Sequence, residues 1–300
     1  MPQTPRRRGA HRSRPARQTS PREAPWLTRR EPASTARGRA LSSSRLNRLT
    51  GVGGMRVVSI AEASPAAEHA ASILAGMTLA ERRRLSTMLD AATVLPVPIG
   101  EPAEWALTRS LFDTVGRTLH VEFSTMSSGV GRGHLGYVTG TDSRLLRVFV
   151  GGAWLEVAAR NEVAQHGKEL SVHLGLELAM DEIPEWGHMR EIDGVVIGHG
   201  RVCLVEAKTH KNGDMLGEST WTRVKKEFEL LARWCSVAAA RVDGQLTLVT
   251  AGLDATYRSQ IQSILSTVAQ RTWATPVVAV TDIGTHGAVV HGFIRKQNAP

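Results

Sequence analysis

The segment Arg190-Glu-Ile-Asp-Gly-Val-Val-Ile-Gly-His-Gly-Arg-Val-Cys-Leu-Val-Glu-Ala-Lys208 constrains the chain more than any other. Two β-rich runs flank Gly198-His-Gly-Arg201, a tight-turn sequence, so the segment is expected to fold as a β-hairpin. With His199 and Gly200 as the loop residues, Gly198 faces Arg201. The same register sets Asp193 opposite Glu206, with β-carbons roughly 5 Å apart. Strand alternation puts Val202, Leu204, Glu206 and Lys208 on one face and Cys203, Val205 and Ala207 on the other. Both faces begin apolar, which marks a central strand covered on both sides. By the same alternation Asp193 shares its face with Val195 and Ile197.

Two carboxylates opposed at the edge of a core are costly. Like charges directly opposite destabilise a sheet, and partial burial adds to the cost. A bound divalent cation removes the conflict, and oxygen ligands at this separation suit Mg²⁺ or Mn²⁺. Lys208, two residues on, points into the same site. There it can orient or help deprotonate a water, or offset charge on a phosphate in the transition state. The plainer reading of Glu-x-Lys is a solvated face on which Lys208 pairs with Glu191 or Asp193, for roughly a few tenths of a kcal/mol. The register, the apolar flanks and the paired Asp193 favour the metal site.

Around this hairpin the sequence reads as α/β. Leu145–Val150 is expected as a strand, Gly151–His166 as a helix and Leu170–Met180 as a strand. After the hairpin, Thr220–Ala240 reads as a long amphipathic helix. Leu246–Thr250 then reads as a strand, Asp254–Arg271 as a helix and Pro276–Thr281 as a strand, with Val289–Ile294 a candidate edge strand. That order builds a mixed sheet flanked by helices over residues 137–300. Residues 55–136 form a smaller, mostly helical region. In it, Val57–Ile60 reads as a strand and Ala66–Ala75, Leu79–Ala92 and Pro102–Thr118 as helices, while Ser124–Gly136 reads as a loop. The glycine cluster Ser127-Ser-Gly-Val-Gly-Arg-Gly133 lacks the Lys-Ser/Thr ending of a P-loop.

Asp193 followed by Glu206-Ala-Lys208 resembles the PD-(D/E)XK (restriction-endonuclease-like) nuclease superfamily, with Ile192 standing where the motif has Pro. Phe149-Val-Gly-Gly-Ala-Trp-Leu-Glu156 looks like the G-x-W-L-E signature of the CARF-linked nucleases of CRISPR defence. The resemblance covers about residues 145–285. It implies a restriction-endonuclease-like core and a metal-dependent endonuclease acting on DNA or RNA, in prokaryotic antiviral defence. It also implies that Glu156 completes a metal site with Asp193 and Glu206, whereas a lone helical Glu is by default solvent-facing. A repair or junction-processing nuclease of the same superfamily is the neighbouring alternative. Residues 55–136 are short for a CARF domain plus linker and show no Rossmann-like series of strands, which argues against a cyclic oligonucleotide activator. Many relatives act as dimers, but no exposed apolar stripe argues for a homodimer here.

The overall charge of +9 is carried by the N-terminal stretch. Residues 1–50 hold 13 Arg and no Lys against Glu23 and Glu31, a balance of +11, and the remainder holds 24 basic and 26 acidic residues, a balance of −2. Residues 1–54 are rich in Arg, Pro, Ser, Thr, Ala and Gly, and such a stretch cannot bury enough surface to offset its entropy. It is read as a disordered tail of no defined role. A phosphate-binding arm, a transit-like segment and an over-extended gene start before Met55 remain open alternatives. If the tail alone supplied affinity, the chain would be a non-enzymatic nucleic-acid-binding module.

Cys203 and Cys235 are too few for a disulfide framework, and a reducing cytoplasm is the simple reading. No apolar run is long enough to span a bilayer. His210 and Lys211, after the motif, and Arg223, Lys225 and Lys226, on the following helix, are candidate phosphate contacts, with solvated charge as the plain alternative. His166, His173 and His188 show no ligand spacing and are read as structural or exposed. Trp154 and Leu155 are read as core.

Overall fold

The computed structural model describes residues 27–30, 55–83, 86, 97–99, 122–127, 134–139, 148–167, 169–180, 190–209, 218–238, 243–273 and 276–296. Strand β1 (Leu27–Arg30) is followed by β2 (Met55–Ala63), α1 (Pro65–Gly76), β3 (Val97–Ile99), β4 (Glu122–Ser127) and β5 (His134–Thr139). A π-helical turn, Phe149–Ala153, leads into α2 (Trp154–His166). Then come β6 (Ser171–Met180), β7 (Arg190–Gly198), β8 (Arg201–Ala207), α3 (Glu218–Ala238), β9 (Asp243–Thr250), α4 (Ala255–Gln270), β10 (Val277–Asp282) and α5 (His286–Arg295).

A seven-stranded sheet in the order β1-β2-β6-β7-β8-β9-β10 organises the molecule. Strands β1 to β8 pair antiparallel, and β8, β9 and β10 pair parallel. The parallel half is built by crossovers through α3 and α4, as parallel strands require. This is the mixed sheet with flanking helices that the pattern of elements calls for.

Each face of the sheet has its own core. On one face Trp154, Leu155, Val157 and Val163 of α2 pack with Ala67, Ala70 and Leu74 of α1, Val290 and Ile294 of α5, and Val196, Cys203 and Val205 of the hairpin. On the other, Val224, Phe228 and Leu231 of α3 and Ile261 and Leu265 of α4 pack on Val195, Ile197, Val202 and Leu204. Strand β8 is therefore buried on both sides, as its unbroken apolar run requires. Trp154 and Leu155, 1% and 0% exposed, are core residues as expected. Ser64 caps α1 through Ala67 N, and Asp254 caps α4 through Thr256 N and Tyr257 N.

Several expectations change. Ser124–Gly136 was expected as a loop, but β4 and β5 place its described ends in a three-stranded antiparallel sheet, β3-β5-β4. Leu145–Val150 was expected as a strand, but residues 148–150 are helical and Phe149 and Val150 are buried against α2's core. Val289–Ile294 was expected as an edge strand and is part of α5. Its buried positions His286, Gly287, Val290 and Ile294 follow a helical repeat, which overrides the β-branched Val289-Val290 pair. Within the tail expected to be disordered, Leu27–Arg30 pairs with Ile60–Ala63, because β2 offers it a free edge. The expected helix at Pro102–Thr118 lies outside the described residues. Among the described residues no helix is long and apolar enough to cross a membrane.

Candidate active site

The hairpin turns where the sequence places it. His199 and Gly200 occupy left-handed conformations, φ 48° and 76°, which suits a two-residue primed turn and favours glycine at the second position. Pairing runs from Gly198↔Arg201 to Gly194↔Val205. One step further in the same register, Asp193 meets the Glu206–Ala207 end of β8. There the N–H of Ala207 donates to Asp193 Oδ2 at 2.8 Å.

Lys208 joins the two carboxylates. Its Nζ lies 3.4 Å from Asp193 Oδ2 and forms an ion pair with Glu206 Oε1. The side chains of Asp193, Glu206 and Lys208 are 15%, 8% and 13% exposed, so little water screens them. The Lys208 N–H donates to Val249 O at 3.0 Å, which fixes the residue at the end of β8 against β9. Thr209 Oγ1 donates to Gly151 O and ties the end of the motif to the turn before α2. A Cβ at Gly152 would lie 3.2 Å from Thr209 Oγ1, so the glycine two residues before Trp154 admits this close approach.

Asp193 does not keep the face that alternation gives it. Ile192 packs in the same core as Val195 and Ile197, although an odd spacing of three should separate Ile192 from Val195. On the neighbouring strand, Leu174 and Leu176 lie in opposite cores although they are two residues apart. Both anomalies meet at one level of the sheet, where Leu174↔Gly194 and Leu176↔Ile192 flank Gly175 and Asp193. Gly175 has φ 52°, and a Cβ there would sit 2.9 Å from that of Ala61. The sheet reverses its facing at this point. Asp193 consequently lines a cleft between α2 and the sheet together with Glu156.

Glu156, in the first turn of α2, thus stands beside the hairpin carboxylates and not on a solvent face. Burial, and then the charges of Asp193, Glu191 and Glu206, hold its carboxyl well above the usual carboxylate range, against the opposing pull of Lys208. Glu191, weighed from sequence only as a partner of Lys208, therefore belongs to the same electrostatic cluster. Its signal was its position two residues before Asp193.

Among the described residues no group of three or more His, Cys, Asp or Glu side chains is arranged to hold a metal ion. The two hairpin carboxylates converge on an ammonium. They are hard oxygen donors, and their placement at a largely buried strand end demands a positive charge. That donor chemistry fits Mg²⁺ or Mn²⁺.

The remaining candidates are spread more widely. Lys225 lies over the ring of Trp221, 5.4 Å from its centroid, and Lys226 is exposed on α3. His210 and Lys211 lie outside the described residues, as does the Arg223 side chain. His166 is exposed, and His188 lies outside the described residues. His173 is buried, which lowers its pKa to about 4, with Arg160 adding to the effect. His286 is also lowered to about 4 by burial. Cys203 is fully buried beside Thr247 Oγ1, and burial raises its thiol to about 12, so it is chemically inert.

No family model matches this chain, and no curated protein matches it. Among solved structures it is similar to VC1899 from Vibrio cholerae, with 14% identity and a TM-score of 0.46, over 82% of this chain and 60% of the other. It is also similar to Can2 from Sulfobacillus thermosulfidooxidans in complex with cyclic tetra-adenylate, with 12% identity and a TM-score of 0.48, over 81% of this chain and 59% of the other. The chain spans about three-fifths of the length of either protein. Likeness of this degree assigns no activity.

Proposed function

We propose that this chain is a metal-dependent endonuclease of the PD-(D/E)XK type that hydrolyses phosphodiester bonds of DNA or RNA, in prokaryotic antiviral defence. One observation carries the reading. Carboxylates from adjacent strands, Asp193 and Glu206, share a single ammonium, that of Lys208, at a largely buried strand end, with a further carboxyl, Glu156, in the adjoining cleft. A structural ion pair needs only one carboxylate. The extra acids raise the cost of the site, and a cationic ligand offsets it.

Asp193 and Glu206 would hold Mg²⁺ or Mn²⁺, and Glu156 would assist. The ion would supply charge stabilisation and a more acidic water. Lys208 would orient a water or offset charge on the phosphate. The Ala207 N–H fixes the Asp193 carboxylate, and the Lys208 N–H bond to Val249 fixes the strand end. His210, Lys211, Arg223, Lys225 and Lys226 would contact the phosphate backbone. Incubating the purified chain with single- and double-stranded DNA and RNA, in Mn²⁺ or EDTA, tests the reading. Cleavage that requires Mn²⁺ and is lost in Glu206→Ala and in Lys208→Ala is expected. Cleavage that survives both substitutions overturns it.

A second reading is favoured by the Lys208 ion pairs themselves, which satisfy both hairpin carboxylates with no metal. In that case the fold is a scaffold, and residues 1–54 bind nucleic acid through their arginines. Strongly salt-dependent binding without turnover, abolished by deleting residues 1–54, is its signature.

A further inference from the structure

Among the described residues the seven-stranded sheet ends at β10, which pairs with β9 alone. A terminal strand presents main-chain groups that another chain can pair with. The sequence of β10, Val-Val-Ala-Val-Thr-Asp, favours such pairing. It is rich in β-branched residues, uncharged up to Asp282 and free of proline and glycine. Val277 at its start is 43% exposed, and Ile264 on the neighbouring α4 is 45% exposed. The strand carries neither a lysine nor a register shift of the kind that blunts an edge.

Main-chain alternation identifies the groups that face outward. The N–H of Ile283 donates to Thr250 O, so the odd-numbered residues turn their N–H groups to β9 and the even-numbered ones turn away. The two ends of the outer edge are closed by local means. Pro276, just before the strand, has no N–H. The carbonyl of Asp282 accepts from the Thr285 N–H at 3.1 Å and from the Thr285 hydroxyl at 3.0 Å. The middle is closed from another element. The N–H of Val280 donates to Gln262 Oε1, on α4, at 3.1 Å. That oxygen occupies the position that a partner strand's carbonyl would take.

We propose that Gln262 closes a strand-pairing surface on β10, and that the occupant this surface fits is the same strand of a second copy. Two β10 strands set antiparallel about a two-fold axis would present the same apolar run to each other and join two sheets into one. While Gln262 holds Val280, the central donor of that pairing is taken. The inference is independent of the nuclease reading, because neither α4 nor β10 supplies a residue to the Asp193 site.

Amide hydrogen exchange and light scattering on the full chain test it. In dilute solution the Val280 amide is expected to exchange about fivefold faster in Gln262→Ala than in the unsubstituted chain. Gln262→Glu is expected to match the unsubstituted chain, since a carboxylate accepts the same bond. With rising concentration, Gln262→Ala is expected to reach twice the mass of the unsubstituted chain, and Gln262→Glu to stay level with it. Adding Val277→Lys to Gln262→Ala places a charge on the edge and is expected to reverse the doubling. An unchanged Val280 exchange rate in Gln262→Ala overturns the proposal. So does a mass equal to that of the unsubstituted chain at every concentration, or a doubling that Val277→Lys leaves in place.

Discussion

The main-chain N–H of Ala207 donates to Asp193 Oδ2 at 2.8 Å, so the acid of one strand is held by the backbone of the next. The same oxygen receives Lys208 Nζ at 3.4 Å. The position of Asp193 is thus set by the hairpin itself, and its charge is balanced by the residue that follows the bonded amide.

Removing that balance has a defined consequence. Lys208→Ala removes the ammonium that Asp193 and Glu206 share at a strand end where each is at most 15% exposed. Breaking a buried pair from one side costs about 3 kcal/mol, or roughly 6–12 °C in Tm for a domain of this size. Added Mn²⁺ is expected to return most of the loss, as read by thermal unfolding in EDTA and in Mn²⁺. A variant as stable as the parent in EDTA would show that the carboxylates do not need the lysine.

The pH dependence of stability follows from the buried histidines. His173 and His286 fall from 6.5 to about 4 on folding, so between those values the unfolded chain binds more protons than the folded one. Stability therefore declines as pH falls from 6.5 towards 4, by about 2 kcal/mol per imidazole at pH 5. Glu156, whose pKa is raised, acts with the opposite sign. Urea unfolding at pH 7 and pH 5 should accordingly compare the parent with the His173→Gln, His286→Gln pair. The substituted chain is expected to lose less stability on acidification, and equal losses would contradict the assignment.

Gly175→Ala places a Cβ 2.9 Å from that of Ala61 at a residue with φ 52°. Strain and overpacking together are expected to cost about 2–4 kcal/mol in urea unfolding. Because this glycine lies level with Asp193, Mn²⁺ affinity should fall as well. Unchanged affinity in a folded variant would mean that the reversal at Gly175 does not position Asp193.

Thr209→Val removes the donor to Gly151 O and keeps the side-chain shape. A loss of about 1 kcal/mol is expected, with Thr209→Ser close to the parent. If Thr209→Val is neutral in urea unfolding, this bond does not hold the motif to α2.

The hairpin was legible because its information is local. The Gly198-His-Gly-Arg201 turn fixes the register, and the apolar alternation of Val202 and Leu204 fixes the faces. The reversal at Gly175 was not legible, since nothing in the β6 sequence distinguishes a glycine with φ 52° from an extended one. That single residue moved Asp193 off the face it was assigned. Helix α5 was misread for a related reason. Val289 and Val290 favour strand on intrinsic grounds, and only the packing of Val290 and Ile294 against α2's core decides for helix.

Strand β2 carries a practical consequence. Its pairing with β6 brings Met55–Val57 to Leu178–Met180, so one side of the ten-residue strand β6 is covered by chain that precedes it by more than a hundred positions. A shortened protein that begins beyond Ala63 would present that strand's N–H and C=O groups as an open edge, which recruits further strands. Such truncations are expected to precipitate or form ladders of copies, whereas removal of residues 1–54 keeps β2 on β6 and uncovers only the four-residue stretch of β2 that β1 pairs.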